Sequence, residues 1–267
     1  MKYLLLQGRA QDWLPFLGPR SVHLVVTDPP WPSVDLHRSQ GALQCRRLKG
    51  WFPTMTYQEI LEVVVQLAER LVPDAHLYLF ADPVSEQVML TGRSSNRELP
   101  AWALDGLPDG IPVPPGLRAW PSLVWAKTLQ GIPVDQEELC ERDIRQGMGY
   151  HWSRAHELIL FLEKGRRPLN DLGWRSILCG PRASRKDYPT AKPVQVCRRL
   201  IENSSDPGDL VLDPFCGGGS VLEAAFLAGR RAIGIDVSAR AIEHSQARLE
   251  ALGAEVEVGV PAKEEKP

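Results

Sequence analysis

Two short stretches hold the residues that could do chemistry, and they lie far apart in the chain. The first is Thr27-Asp28-Pro29-Pro30-Trp31, which follows the apolar residues Val22, Leu24, Val25 and Val26. Those residues read as a short buried strand, and two prolines cannot extend it. A proline restricts the residue before it to extended backbone, so Asp28 and Pro29 belong to a stiff turn. The result is a carboxylate, a carbonyl without a helical partner and a large aromatic face at a strand's C-terminal edge. In open α/β sheets ligands bind at that edge. A carboxylate and a carbonyl together accept both hydrogens of an amino group, and an indole stacks on a flat ring. The set suits the exocyclic amine of a nucleobase. On these residues alone, a surface turn that happens to hold Asp and Trp is an equal reading.

The second stretch is Asp213-Pro214-Phe215-Cys216-Gly217-Gly218-Gly219-Ser220, between a strand at Leu210–Leu212 and a helix through Gly229. A further strand, Ala232–Ile235, ends in Asp236, and Ser238 caps a helix to about Leu252. Strand, glycine loop, helix, strand and acid form a nucleotide-binding unit in which Asp236 suits ribose hydroxyls. Gly217 and Gly219 are expected to let a cofactor approach the backbone. A nicotinamide or flavin fingerprint fails, because counting from Gly217 its last glycine falls on Leu222. Asp213 would oppose a pyrophosphate and suits a cation. S-adenosylmethionine carries an ammonium and a sulfonium, so the loop favours that cofactor.

The elements that must position these residues alternate between strand and helix. Lys2–Leu6 reads as a strand and Gln11–Leu17 as a brief helix. Thr56 and Glu59 mark the start of a helix to about Leu71, with Ile60, Val63, Val64, Leu67 and Leu71 on one face. His76–Phe80 reads as a strand, with a helix near Pro83; Leu123–Trp125 and Glu157–Leu162 read as two more strands, antiparallel neighbours. Pro193 opens a helix ending near Asn203. Residues 32–55 and 92–120 lack a period and read as insertions.

At 267 residues, with 43% hydrophobic and 24% charged residues, the chain has room for one large α/β domain. It shows no signal peptide and no apolar run of membrane-spanning length. Cys45, Cys140, Cys179, Cys197 and Cys216 form no zinc or CxxC spacing, so a reduced cytoplasm fits. The net charge of −2 announces no polyanion partner. Positive charge is nevertheless concentrated at Arg38, Arg46, Arg47 and Lys49, and between residues 166 and 188, where Arg182, Arg185 and Lys186 lie. A phosphate backbone would feel those patches, and solvated loops are the alternative.

Taken together these motifs resemble the β class of DNA amino-methyltransferases. Thr27–Trp31 matches the catalytic motif, and Tyr188-Pro189-Thr190-Ala191-Lys192-Pro193 resembles the segment before the cofactor loop. Asp206 to Ser220 is similar to the loop itself, and Ile233-Gly234-Ile235-Asp236 to the ribose-binding strand end. Gly149-Tyr150-His151-Trp152 through His156-Glu157 looks like the segment lining the target-base pocket. Gly8-Arg9 departs from the family's usual Gly-Asp, which leaves the adenine contact of the cofactor to Asp12 or to backbone.

The resemblance implies a Rossmann-like S-adenosylmethionine-dependent methyltransferase fold. Its sheet would be seven-stranded and mostly parallel, with an antiparallel edge hairpin and helices on both faces. It implies one methyltransferase domain over 1–267, with the catalytic part first and the cofactor part at about 190–252. The two insertions and the basic segment 166–188 would serve DNA recognition, and 254–267 would be a tail. Asp28, Pro29, Pro30 and Trp31 would be catalytic. Asp213, Phe215, Cys216, Gly217, Gly219, Ser220, Asp236, Thr190 and Lys192 would bind S-adenosyl-L-methionine, and no metal is implied. Arg46, Arg47, Lys49, Arg182, Arg185 and Lys186 would meet DNA, whose target base leaves the duplex to stack on Trp31. Monomer and homodimer both fit, as does a cognate restriction endonuclease as partner.

Asp as first residue of the tetrapeptide leans towards adenine N6. Cytosine N4 and RNA adenosine are the alternatives, and a non-catalytic cofactor sensor is the rival from another class. No cysteine follows a proline, which counts against carbon-5 cytosine chemistry.

Overall fold

A computed structural model of the chain describes residues 2–33, 53–93, 101–107, 113–129, 155–183, 188 and 190–260. Strand β1 (Lys2–Gln7) leads into the short helix α1 (Ala10–Trp13) and a 3-10 turn at Leu14–Phe16, and β2 (Val22–Thr27) ends directly on Asp28. Helix α2 (Tyr57–Arg70) begins on the expected box: the Thr56 hydroxyl accepts from the Glu59 N–H at 3.1 Å, and the Glu59 carboxylate accepts from the Thr56 N–H at 2.8 Å. β3 (Leu71–Ala81) runs to Asp82, whose carboxylate caps α3 (Pro83–Thr91) by accepting from the N–H groups of Val84 and Ser85. Next come β4 (Leu117–Thr128), β5 (His156–Lys164) and β6 (Ile177–Pro181), then α4 (Val194–Ser204). The last third contains β7 (Leu210–Asp213), α5 (Ser220–Leu227), β8 (Arg231–Asp236), α6 (Ala239–Ala251) and β9 (Glu255–Gly259).

The nine strands form one sheet in the order β6-β4-β5-β3-β2-β7-β8-β1-β9. Only β5 runs against the others among the described residues, antiparallel to β3 on one side and to β4 on the other. Its first residues, His156 and Glu157, therefore lie at the same rim as the last residues of β2, β3 and β4.

Three details differ from the sequence reading. Among the described residues the sheet has nine strands, not seven. β6 lies inside the basic segment, and it places the antiparallel pair one strand in from the edge. β9 falls in the expected tail and pairs parallel with β1 from Lys2↔Glu255 to Leu6↔Gly259; its alternating Glu and Val are easily taken for a charged terminus. β4 reaches back into the 92–120 insertion because Pro121, which has no N–H to donate, is absorbed by a shift of register between Trp120 and Leu123.

The sheet has a core on each face. Val25 packs in the layer that holds Ala10 of α1, Ile60 of α2 and Val88 of α3. Leu24 and Val26 pack in the opposite layer with Val196 of α4, Leu222 of α5 and Ile242 of α6. This alternation is the period-2 signature of a strand buried on both sides, and it fixes the direction in which Asp28 leaves the sheet. No described helix is long and apolar enough to cross a membrane.

Candidate active site at the strand ends

The turn after β2 is closed by its own backbone, with the Trp31 N–H donating to the Pro29 carbonyl at 2.8 Å. The Pro30 carbonyl accepts from the Met55 N–H at 3.0 Å. Trp31 is not the open stacking face that the sequence suggests. Its side chain is 3% exposed, its indole N–H donates to the Phe80 carbonyl at 2.7 Å, and its ring lies 6.0 Å from that of Tyr57. An indole with both an apolar bed and a carbonyl acceptor is more stable inside than out. Behind it, Ser33 donates to Asp82 at 2.5 Å and meets Ser85 at 3.2 Å, and Tyr57 meets Ser85 at 3.1 Å. Trp31 and this hydroxyl network fasten the turn to the end of β3 and the start of α3.

Asp28 itself remains partly open and sits in a chain of alternating charges. Lys192, expected at the cofactor, donates to Asp28 Oδ2. The same ammonium is 3.6 Å from Glu157 Oε2, and Glu157 Oε1 accepts from Lys127 at 2.7 Å. Lys192 lies 5.4 Å from the centre of the Phe80 ring and Lys127 lies 5.3 Å from that of Trp125. Burial pushes the Asp28 carboxyl up to about 6, against the pull of Lys192. Burial would raise Glu157 as well, but Lys192 and Lys127 hold it below its ordinary range. Burial pulls Lys127 down, while for Lys192 the two carboxylates more than offset burial and raise it. Lys127 is the member of this group that sequence reasoning missed as a site residue, and Glu157 is expected only as the end of a pocket-lining segment, without a role of its own. Each lies one residue inside the end of a strand whose register only the folded sheet reveals.

One hydrogen bond joins the two motifs. Thr27 Oγ1 donates to Asp213 Oδ1 at 2.6 Å, across 186 residues of sequence, and the Phe215 N–H donates to the same oxygen at 3.1 Å. Asp213 is buried, which pushes its carboxyl up to about 7. Asp236 accepts from the N–H groups of Gly217 and Ser238, both at 2.9 Å, and burial raises its pKa against those two bonds.

The glycines of the loop serve the fold first. A Cβ on Gly218 would come within 2.5 Å of Tyr188, and one on Gly219, whose φ is +78°, within 2.8 Å of Ser245 Oγ. The expected open backbone at Gly219 is thus taken by α6, while Gly217 stays partly exposed. Cys216 is buried and packs against Gly234, so it serves the loop by its volume. Ser220, only 5% exposed, has a hydroxyl with no hydrogen-bond partner among the described residues, at the first turn of α5. A buried acid at Asp213, a half-buried one at Asp236, the Ser220 hydroxyl and helical N–H groups form a donor and acceptor set that fits a ligand with an ammonium and a ribose diol.

A model of DNA methylases matches residues 22–247. The chain belongs to the N6/N4 DNA methylase family. The DNA adenine methyltransferase YhdJ of Escherichia coli K12 is 40% identical over 65 residues, which is 24% of this chain and 22% of YhdJ. The matched stretches span between 11% and 43% of the first curated relatives' own lengths. TTHA0409 of Thermus thermophilus, solved with S-adenosyl-L-methionine, superposes with a TM-score of 0.62 at 20% identity, covering 98% of this chain and 99% of its own. The PvuII DNA methyltransferase, cytosine-N4-specific, gives 0.60 at 15% identity, covering 97% and 96%. At those identities the two structures establish a shared fold.

The remaining expected site residues fall in several places. Arg46, Arg47, Lys49, Arg185, Lys186, Pro189 and the segment Tyr150–Trp152 lie outside the described residues. Phe215 and Thr190 are half-buried near the cofactor loop, and Arg9 and Asp12 are exposed at α1. His156 is exposed at the start of β5. The basic stretch 166–188 is split by β6. Arg182 follows β6 at the rim, close enough to act on Glu157 and Lys127. Arg167 lies at the opposite edge, paired with Asp206 at 3.2 Å, and the Arg166 N–H donates to Asp74 at 2.7 Å.

Proposed function

We propose that this protein transfers a methyl group from S-adenosyl-L-methionine to the exocyclic amine of a base in DNA, with adenine N6 preferred. The observation that carries the reading is the Thr27–Asp213 bond of 2.6 Å, which sets the amine-accepting turn directly beside the loop suited to the cofactor. When bound, S-adenosyl-L-methionine supplies a methyl group on a positively charged sulfur. Asp236 would accept from the ribose hydroxyls with the lone pairs that Gly217 and Ser238 leave free. Asp213 and Ser220 would meet the amino-acid end.

The substrate amine is a poor nucleophile because its lone pair is delocalised into the ring. Ionised Asp28 accepts one of its hydrogens, and the Pro29 carbonyl, which has a second lone pair beyond its bond from Trp31, accepts the other. These bonds favour a pyramidal nitrogen with a localised lone pair. The rigid turn holds that nitrogen in line for attack. Since Trp31 is buried, its part is to hold Asp28 and Pro29 still. Arg182, with Arg46, Arg47, Lys49, Arg185 and Lys186, would contact phosphates around a base drawn out of the duplex.

An Asp-first tetrapeptide and the similarity to YhdJ favour adenine. The fold shared with a cytosine-N4-specific enzyme supports N4 methylation as the second reading. The test incubates the purified protein with DNA and methyl-deuterated cofactor, then identifies the labelled nucleoside by mass spectrometry. Labelled N6-methyladenine is the expected product. Labelled N4-methylcytosine replaces the first reading by the second, and the absence of any labelled base overturns both.

A further inference from the structure

We propose that Glu157 is a positioning residue for the transfer: it receives the Lys192 ammonium when the substrate amine takes that ammonium's place on Asp28. This rests on the amine-methylation reading above. During transfer the nitrogen lone pair forms the new N–C bond, and the pair of the breaking C–S bond stays on sulfur. The nitrogen then carries positive charge until it releases a proton to solvent water. A carboxylate beside it stabilises that charge and an ammonium opposes it. Lys192 on Asp28 Oδ2 is thus a good partner for the resting carboxylate and a poor one for the transition state.

The structure provides the alternative berth. Glu157 Oε2 is 3.6 Å from Lys192 Nζ, close to contact already, while Lys127 holds Oε1 at 2.7 Å and keeps the other oxygen turned to Lys192. Lys127 is itself fixed, at 8% side-chain exposure and 5.3 Å from the centre of the Trp125 ring. The Phe80 ring, 5.4 Å from the Lys192 ammonium, gives it a favourable surface in either position. Lys127, Glu157, Lys192 and Asp28 alternate in sign and sum to zero. Moving Lys192 from one carboxylate to the other therefore keeps the ammonium paired and the group neutral, while Asp28, 27% exposed, keeps a hydrogen bond from the amine. Among the described residues the titratable groups facing Asp28 are Lys192, Glu157, Asp82, Asp213 and the Cys197 thiol, and those facing Glu157 are Lys192, Lys127, Arg182 and Asp28.

The experiment is a double-mutant cycle on the full chain with Glu157→Gln, Lys192→Gln and the pair together. Initial rates of methyl transfer to mixed-sequence duplex DNA are measured from pH 5 to 9, with cofactor affinity by calorimetry and unfolding midpoints as controls. Glu157→Gln leaves Lys192 with Asp28 alone. The KM for DNA then rises and kcat/KM falls by about tenfold or more, because fewer molecules present a free carboxylate. Its acid limb moves to lower pH, since Asp28 keeps its cation and loses a like charge. Lys192→Gln moves the acid limb the other way, and in that background Glu157→Gln adds no further loss in kcat/KM. Wild-type kcat/KM in Glu157→Gln overturns the proposal, as does an equal cost of Glu157→Gln with and without Lys192. A change confined to the unfolding midpoint gives Glu157 a purely structural role and overturns it too. A wild-type protein inert on DNA fails at the first measurement and overturns the functional reading itself.

Discussion

Asp236 and Asp28 both end a parallel strand at the same rim, yet they are held in different ways. Asp236 is gripped by backbone N–H groups from Gly217 and Ser238, so the β7–α5–β8 unit makes its own acid pocket. Asp28 is held by Lys192, 164 residues away, while its turn is fastened through Trp31 to Phe80 and through Ser33 to Asp82. A pocket built from neighbouring backbone is fixed once its unit folds. A carboxylate held by remote side chains depends on four strands arriving in register. The half proposed to bind the cofactor is locally encoded, and the half proposed to be catalytic is assembled.

The largest effect that separates the halves should come from Trp31→Ala. Removing a buried aromatic costs about 3–5 kcal/mol of stability. The loosened turn should also cut turnover by more than cofactor affinity, as parallel melting, calorimetry and rate measurements would reveal. Asp28→Ala should come next: cofactor binding is retained, while the barrier to methyl transfer rises by about 2.7–4 kcal/mol, the scale of losing one preorganised group at a charged transition state. If turnover survives this change, the assembled half is not the catalytic one. Asp236→Ala reverses the pattern, weakening S-adenosyl-L-methionine by about 1.5–3 kcal/mol in calorimetry as a charge-assisted bond is lost.

The smallest contrast is in pH. The Asp28 carboxyl lies at about 6, and its protonated form cannot accept from the amine in the required way. Thus kcat/KM should fall as pH drops through about 6, well above the range of an ordinary carboxylate near about 4. Asp213 should be read in stability instead. Its folded pKa of about 7 lies above the unfolded value, so its contribution is complete in acid and lost as pH rises from about 4 through 7. Asp213→Asn should flatten that part of the stability profile while leaving the acid limb of the rate near its place.

What can be read from the residues follows the same division. The capping box of Thr56 and Glu59, the glycine loop, Asp236 and the stiff turn at Asp28 are each written in contiguous residues, and each is legible. Lys127 is not, and Glu157 is legible only as the end of a pocket-lining segment, because a lone acid or base in a strand shows no partner until register sets Trp125 opposite Glu157. Lys192 reads with the cofactor through the resemblance of Tyr188–Pro193, whereas the fold sets its ammonium on Asp28 at the end of β2. Trp31 reads by its chemistry and not by its surroundings, which bury it. β9 escapes because its parallel partner is at the other end of the chain.

The reversed direction of β5 has a further consequence. The chain leaves the rim at Thr128 and comes back to it at His156, and it also leaves after the Asp28 turn and is tied back where Met55 bonds Pro30. The first segment is held at both ends by paired strands β4 and β5, and the second by β2 and the Pro30–Met55 bond, beside Asp28. Closing a longer loop costs only slowly more as residues are added. Such anchored excursions can be lengthened, shortened or exchanged while the strands beneath keep their pairing. The architecture works as a socket: the strand ends proposed to carry the chemistry form a fixed base, and the segments tied to it can be exchanged by design.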